Sequence, residues 1–177
     1  MKEPGYRRMT LRAWIGRETE QTGTGWMILS GGMTLLAFIA VRTFCGNPYR
    51  AILELGISDL IPPVWLFTLL QALAFFTAGC AAGFVLGYRT PGCAAEKYRG
   101  CMLFVLAAAV ELAWYPVFFS SMMVLAAVLV ALLAFLLAIL TTVSFFRVSR
   151  FSGILFVLHD IWAFSVLALS VRTLLRS

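Results

Sequence analysis

Residues 101–119 read CMLFVLAAAVELAWYPVFF, nineteen residues whose one charged side chain is Glu111. A helix needs roughly 20 mostly apolar residues to cross a hydrocarbon layer about 30 Å thick, so this run is long enough to span a membrane. Its last nine residues, Glu111-Leu112-Ala113-Trp114-Tyr115-Pro116-Val117-Phe118-Phe119, hold a carboxylic acid, an indole, a proline and two phenyl rings. On a helix Glu111, Trp114 and Phe118 fall at i, i+3 and i+7 and share one face, which can line a ligand cavity or simply pack against a neighbour.

Four more blocks of the same kind surround it: 26–44, 63–88, 122–146 and 154–175. The 177 residues are 62% hydrophobic with a mean hydropathy of +0.93, more apolar than a soluble core requires. The fold expected is an all-α membrane protein, a bundle of five transmembrane helices over 26–177, preceded by a basic N-terminal extension, 1–25. The first block lies too deep in the chain to be a cleaved signal peptide, and further spans follow it. Cys45, Cys80, Cys93 and Cys101 form no CxxC pair and no metal-ligand pattern, so neither a metal site nor a disulfide framework is expected. The formal charge of +6 would suggest nucleic acid in a soluble chain, but here the cations sit at span ends and nucleic acid is not expected as a partner. Lys2, Arg7, Arg8, Arg12, Arg17, Arg89, Lys97, Arg99, Arg147 and Arg150 fall on one side. Arg42, Arg50, Arg172 and Arg176 fall on the other, which puts the N-terminus in the cytoplasm and the C-terminus outside.

Along the chain, 1–25 reads as a mobile basic tail or, around Tyr6, Met9, Leu11, Trp14 and Ile15, as a short helix on an anionic surface. The connection 45–62 is long for a bundle loop. It contains the amphipathic turn Ala51-Ile52-Leu53-Glu54-Leu55-Gly56-Ile57 and ends in Pro62-Pro63, so a partly ordered cap over the bundle mouth is expected. In the second span Trp65 suits interface depth. Phe67, Gln71 and Phe75 recur every four residues, and Gln71 should face protein rather than lipid. Gly79, Gly83 and Gly87 make a small-residue face for a neighbouring helix, or for a homodimer. Residues 89–100, with Glu96, Lys97 and Arg99, read as a solvated turn. Ser120-Ser121 force a tight hairpin between the third and fourth spans. The fourth span reads as packing alone. The fifth carries His159, Asp160 and Trp162 in an apolar helix, with Asp160 near the interface and without an assigned role.

Three segments resemble the TspO/MBR family, the tryptophan-rich sensory and translocator proteins formerly called peripheral benzodiazepine receptors. Pro62-Pro63-Val64-Trp65-Leu66-Phe67 looks like its PPxWxF entry to the second helix, with Gly79 and Ala81 in the places of a later GxA. Residues 111–119 look like NxxWxxxFF with an acid in place of the Asn. Thr141-Thr142-Val143 stand at the family's distance from Trp162, and Leu169 keeps its following leucine. The likeness covers roughly 26–175.

The resemblance implies a five-helix receptor or translocator in a bacterial plasma membrane. Porphyrin or haem-type tetrapyrroles and other hydrophobic aromatic ligands, sterols and drugs among them, would bind between the helices under the loop 45–62, with no cofactor required. The residues it points to for ligand binding are Trp65, Phe67, Gln71, Phe75, Glu111, Trp114, Phe118, His159, Trp162 and Val166; no catalytic residue is assigned. Departures qualify this. The family's KPxW is here Ile57-Ser58-Asp59-Leu60. Gln71 replaces a tryptophan of relatives that degrade porphyrin, so degradation is expected to be weak or absent. Leu158-His159 replace a Pro-Tyr pair. Val171 and Arg172 break the sterol-recognition pattern. Pro116 should kink the third span beside Trp114. Glu111 reads as a protonated or hydrogen-bonded carboxyl facing the interior, touching ligand or bonding to Gln71 or His159. An alternative of another class is a small proton-coupled transporter, or a subunit of one, using Glu111 and His159.

Overall fold

The computed structural model describes residues 24–45, 48–59, 61–88 and 94–176. Almost all of the basic extension, Cys93 and the Pro91-Gly92 turn lie outside these residues. Six helices occur among them: α1 Thr24–Phe44, α2 Pro48–Glu54, α3 Val64–Gly87, α4 Ala94–Phe119, α5 Val124–Val148 and α6 Arg150–Leu174. All but α2 are long and apolar enough to cross a membrane. At about 1.5 Å per residue, their 21 to 26 residues reach about 31 to 39 Å. The sixth helix, α2, belongs to the connection read as a cap.

Short connections set the order of the bundle. Between α4 and α5 the amides of Ser120 and Ser121 both bond the Pro116 carbonyl at 2.9 Å, and Met122 takes a positive φ of 51° to reverse the chain. Between α5 and α6 only Ser149 intervenes, its hydroxyl accepting from the Phe151 amide as an N-cap. Helix α1 packs on α3, α3 on α6, α6 on α5 and α5 on α4. Helix α4 touches α3 and α1 more lightly. In span numbers the circuit runs 1, 2, 5, 4, 3.

The glycine face is consumed inside the chain. A β-carbon on Gly79 would lie 2.7 Å from the Ser30 carbonyl, and one on Gly83 would overlap the Trp26 carbonyl, both on α1. Small residues there let two backbones meet. Gly79 and Gly83 therefore seat the first span and are not available as a homodimer surface, while Gly87 is half-buried at the helix end.

The cap is built from a helix stop. Gly56 has φ 63°, the Gly56 amide bonds Leu53 O and the Ile57 amide bonds Ile52 O, both at 3.1 Å. That is a Schellman turn, in which glycine bears the left-handed conformation without steric cost. It folds Ile57 back on Ile52, and both are buried with Ala51 and Ile61 in the aromatic core. Ser120 Oγ donates to the Cys45 carbonyl at 2.8 Å, and Arg176 donates two 2.8 Å bonds to Asp59. The connection is thus tied to the bundle at its start and near its end.

One segment departs from the sequence reading. Glu96, Lys97 and Arg99 are not in a turn, because α4 begins at Ala94; alanine, glutamate and lysine all favour helix. Lys97 Nζ bonds the Tyr88 carbonyl at 2.7 Å, and Glu96 lies 3.6 Å from Arg147. Pro116 sits inside α4, which runs on to Phe119.

Candidate functional site

Two features carry chemistry: an aromatic and polar interior, and a cleft between α3 and α6. In the interior Phe38 stacks on Phe75 at 5.3 Å and Trp114 on Phe118 at 4.8 Å. Tyr115 and Phe119 meet at 4.8 Å. Phe75, Trp114 and Phe118 are fully buried in this cluster, so the face that Trp114 and Phe118 share is packed against side chains. Trp114 Nε1 donates to Ser170 Oγ at 3.0 Å, and the Ser170 hydroxyl donates to Val166 O at 2.9 Å.

Beneath this cluster Glu111 and His159 meet, Oε2 to Nε2, at 2.8 Å, both buried. Phe75 and Phe156 flank the imidazole at 5.8 and 5.0 Å. Its Nδ1 has no hydrogen-bond partner. An acid and a base in contact satisfy one another, which is how two ionisable groups are tolerated at this depth. Asp160 is buried, and Thr142 Oγ1 donates to its Oδ2 at 2.6 Å. The fourth span therefore supplies a polar contact as well as packing. Gln71 is buried with Oε1 unpartnered and does not bond Glu111; Glu111 Oε1 and Asp160 Oδ1 are likewise without partners.

The cleft has a volume of about 590 Å³, within the range of small-molecule sites. Helix α3 contributes Phe67, Leu70, Leu73, Ala74 and Thr77, and α6 contributes Leu158, Ile161, Trp162, Ser165, Val166 and Leu169. Ile61 and Pro62 close the end beside the cap. Leu158 and Ile161 are 55% and 60% exposed, so the long side of the cleft faces lipid. Phe67 and Trp162 pack at 5.1 Å with a 56° tilt and form an aromatic corner.

Of the residues singled out from sequence, Phe67, Trp162 and Val166 line the cleft. Gln71, Phe75, Glu111, Trp114, Phe118 and His159 are buried in the interior, and Trp65 is 69% exposed on the outside of α3. The stripe on α3 that lines the cleft is Phe67, Leu70, Ala74 and Thr77, rotated from the stripe of Phe67, Gln71 and Phe75. A helix-period count from Trp162, giving Leu158, Ser165, Val166 and Leu169, would have found the α6 wall. Nothing in sequence tells which α3 face meets it.

A model of the TspO/MBR family matches residues 49–175. The chain belongs to the TspO/MBR family. The match begins in the cap helix α2 and runs to the end of α6, leaving α1 outside it. Among curated relatives, the chain is 28% identical over 140 residues to Protein CrtK of Rhodobacter capsulatus, covering 73% of this chain and 84% of that one. It is also 28% identical over 113 residues to the tryptophan-rich sensory protein of Cereibacter sphaeroides, covering 64% of this chain and 68% of that one. Within this TspO/MBR chain Trp114 is bonded into the core, whereas Trp162 borders the cleft.

Proposed function

We propose that this TspO/MBR protein is a receptor or translocator for hydrophobic aromatic ligands, tetrapyrroles of the porphyrin and haem type among them. The ligand enters from the lipid between α3 and α6 and rests against Phe67 and Trp162. The supporting observation is the cleft itself: its size, its aromatic corner and its lipid-facing opening fit a flat apolar molecule already dissolved in the bilayer. Stacking on such rings stabilises by about 1 kcal/mol per pair beyond area burial. The asymmetry of Lys and Arg supports an N-terminus in the cytoplasm. Because Gln71 stands where porphyrin-degrading relatives have tryptophan, the reading is binding without efficient turnover. In lipid nanodiscs, micromolar protoporphyrin should quench tryptophan fluorescence, and Trp162→Phe should reduce both amplitude and affinity. Absence of quenching at micromolar porphyrin would overturn the proposal.

A second reading, a small proton-coupled transporter or transporter subunit, draws on the buried contact of Glu111 with His159. Such a pair sets an acid beside a base at one point in the bundle, where a proton can be relayed. It predicts porphyrin flux into vesicles that follows an imposed pH gradient and stops in Glu111→Gln; flux indifferent to that substitution removes it.

A further inference from the structure

The wall that α6 gives to the cleft continues past the cleft's end. Seven residues on a helix complete two turns less about 20°, so residues seven apart form a column along one side. Leu158 and Ser165 make one such column, Trp162 and Leu169 another, and all four line the cleft. Continued by the same step, the first column reaches Arg172 and the second Arg176. Arg176 donates two 2.8 Å bonds to Asp59, which stands just before the Ile61 and Pro62 that close the cleft beside the cap. A helical side chain lies over the turn N-terminal to its own Cα, and for Arg172 that is the turn of Leu169, at this same end.

Arg172 is also the unmatched cation of this end of the bundle. The Arg42 guanidinium lies 5.5 Å from the centre of the Tyr115 ring, Arg50 is paired with Glu54 at 2.7 Å and Arg176 with Asp59. Arg172 is exposed and meets no acidic partner among the described residues. Inside the cleft the chemistry is the opposite. None of the lining residues is charged, and the two hydroxyls give their protons to their own helices, Thr77 to Ala74 O at 3.1 Å and Ser165 to Ile161 O at 2.8 Å. A carboxylate moved in among these walls would lose its hydration with no cation to receive it. At the end beside Leu169 it keeps contact with water and meets a guanidinium, whose forked donors match a carboxylate.

We infer that the cleft takes an amphiphile in one orientation, its flat apolar body between α3 and α6 and a carboxylate at the cap end on Arg172. This rests on the reading of the cleft as the ligand site and adds the polarity of the ligand and the direction in which it lies. Because Asp59 offsets the charge of Arg176, Arg172 carries the attraction. The last carbonyls of α6 oppose it, since a helix C-terminus is the negative end of the dipole.

The test crosses two ligands with two proteins in phosphatidylcholine nanodiscs, whose headgroups carry no net charge; the crossing cancels differences in partition into lipid. The ligands are protoporphyrin, with two carboxylates on one edge of the ring, and its dimethyl ester. The proteins are the native chain and Arg172→Gln, an exposed substitution that removes the charge. The expected result is a loss of roughly three- to tenfold in affinity for the acid and no loss for the ester. An equal change for both ligands, or none for either, overturns the inference and leaves Arg172 a cation that only complements the helix end, with the cleft still the binding site. Failure of both porphyrins to bind the native protein overturns the inference and the binding proposal together. Independently of the variant, raising the salt concentration should weaken binding of the acid to the native protein and leave that of the ester unchanged; acid binding indifferent to salt overturns the inference.

Discussion

Replacing Glu111 by leucine removes one half of a buried polar contact between α4 and α6, and its cost follows from the geometry. His159 Nε2 would lose its partner at 2.8 Å while Nδ1 has none to compensate. What remains is an imidazole among Phe75 and Phe156 with neither nitrogen bonded. The relevant cost is that of an unmet polar group, about 1–3 kcal/mol, rather than the 3–5 kcal/mol of a broken buried ion pair. Polar contacts in membrane bundles have measured at most about 1.7 kcal/mol, so the expected loss is about 1–2 kcal/mol, a factor of roughly 5–30 in the unfolding equilibrium. Glu111→Gln retains a side chain that can donate to the imidazole and should cost less. The double variant Glu111→Leu with His159→Leu should recover most of the loss, because apolar replacement of both partners leaves nothing unmet. Unfolding by sodium dodecyl sulfate in lipid bicelles, followed by circular dichroism, measures the native chain, Glu111→Leu, Glu111→Gln, His159→Leu and the double variant. The reasoning is refuted if Glu111→Leu unfolds like the native chain, or if the double variant shows the sum of the two single losses.

Other consequences are equally open to measurement. Gly83→Ala should destabilise by about 1–3 kcal/mol in the same assay, because the new methyl meets the Trp26 backbone; Gly32→Ala, with nothing within 4 Å, should be neutral or stabilising by up to about 1 kcal/mol. Trp114→Phe should lower stability by about 1 kcal/mol through the lost bond to Ser170 yet leave porphyrin affinity unchanged, the reverse of Trp162→Phe. The Arg176 guanidinium holds the Asp59 carboxyl below its usual value of 3.8. Its contribution to holding the cap is therefore present at neutral pH and is lost as pH falls below 3.8 through the depressed value. Protease cleavage of the 48–59 segment should accelerate in that acid range and at high salt, and Arg176→Gln should abolish both dependences.

The bundle was legible because membrane spans announce themselves by length and composition, and because the serine pair at 120–121 leaves the chain no choice but a hairpin. The start of α4 was misread because a charged cluster at 96–99 resembles a turn in composition, although its residues favour helix. Glu111 and His159 were marked as suspects by their depth in apolar runs, but their pairing depends on how α4 and α6 face one another, which no local pattern encodes. Asp160 and Thr142 were missed as partners for the same reason. For the cleft the sequence supplied Phe67 and Trp162. It could not supply the rotation of α3 that places Gln71 in the interior and Leu70 and Thr77 on the wall, since that is set by Gly79 and Gly83 pressing against α1.

The central claim is that ligand occupies the space between α3 and α6, and the most direct measurement fills that space. Ser165 lines the cleft and its hydroxyl bonds only its own helix, so Ser165→Phe occupies the volume without breaking a contact between helices. Protoporphyrin titrated into nanodiscs and followed by its own absorption should bind this variant at least about tenfold more weakly than the native protein, with unfolding unchanged. Undiminished affinity in a normally folded Ser165→Phe protein would contradict the account.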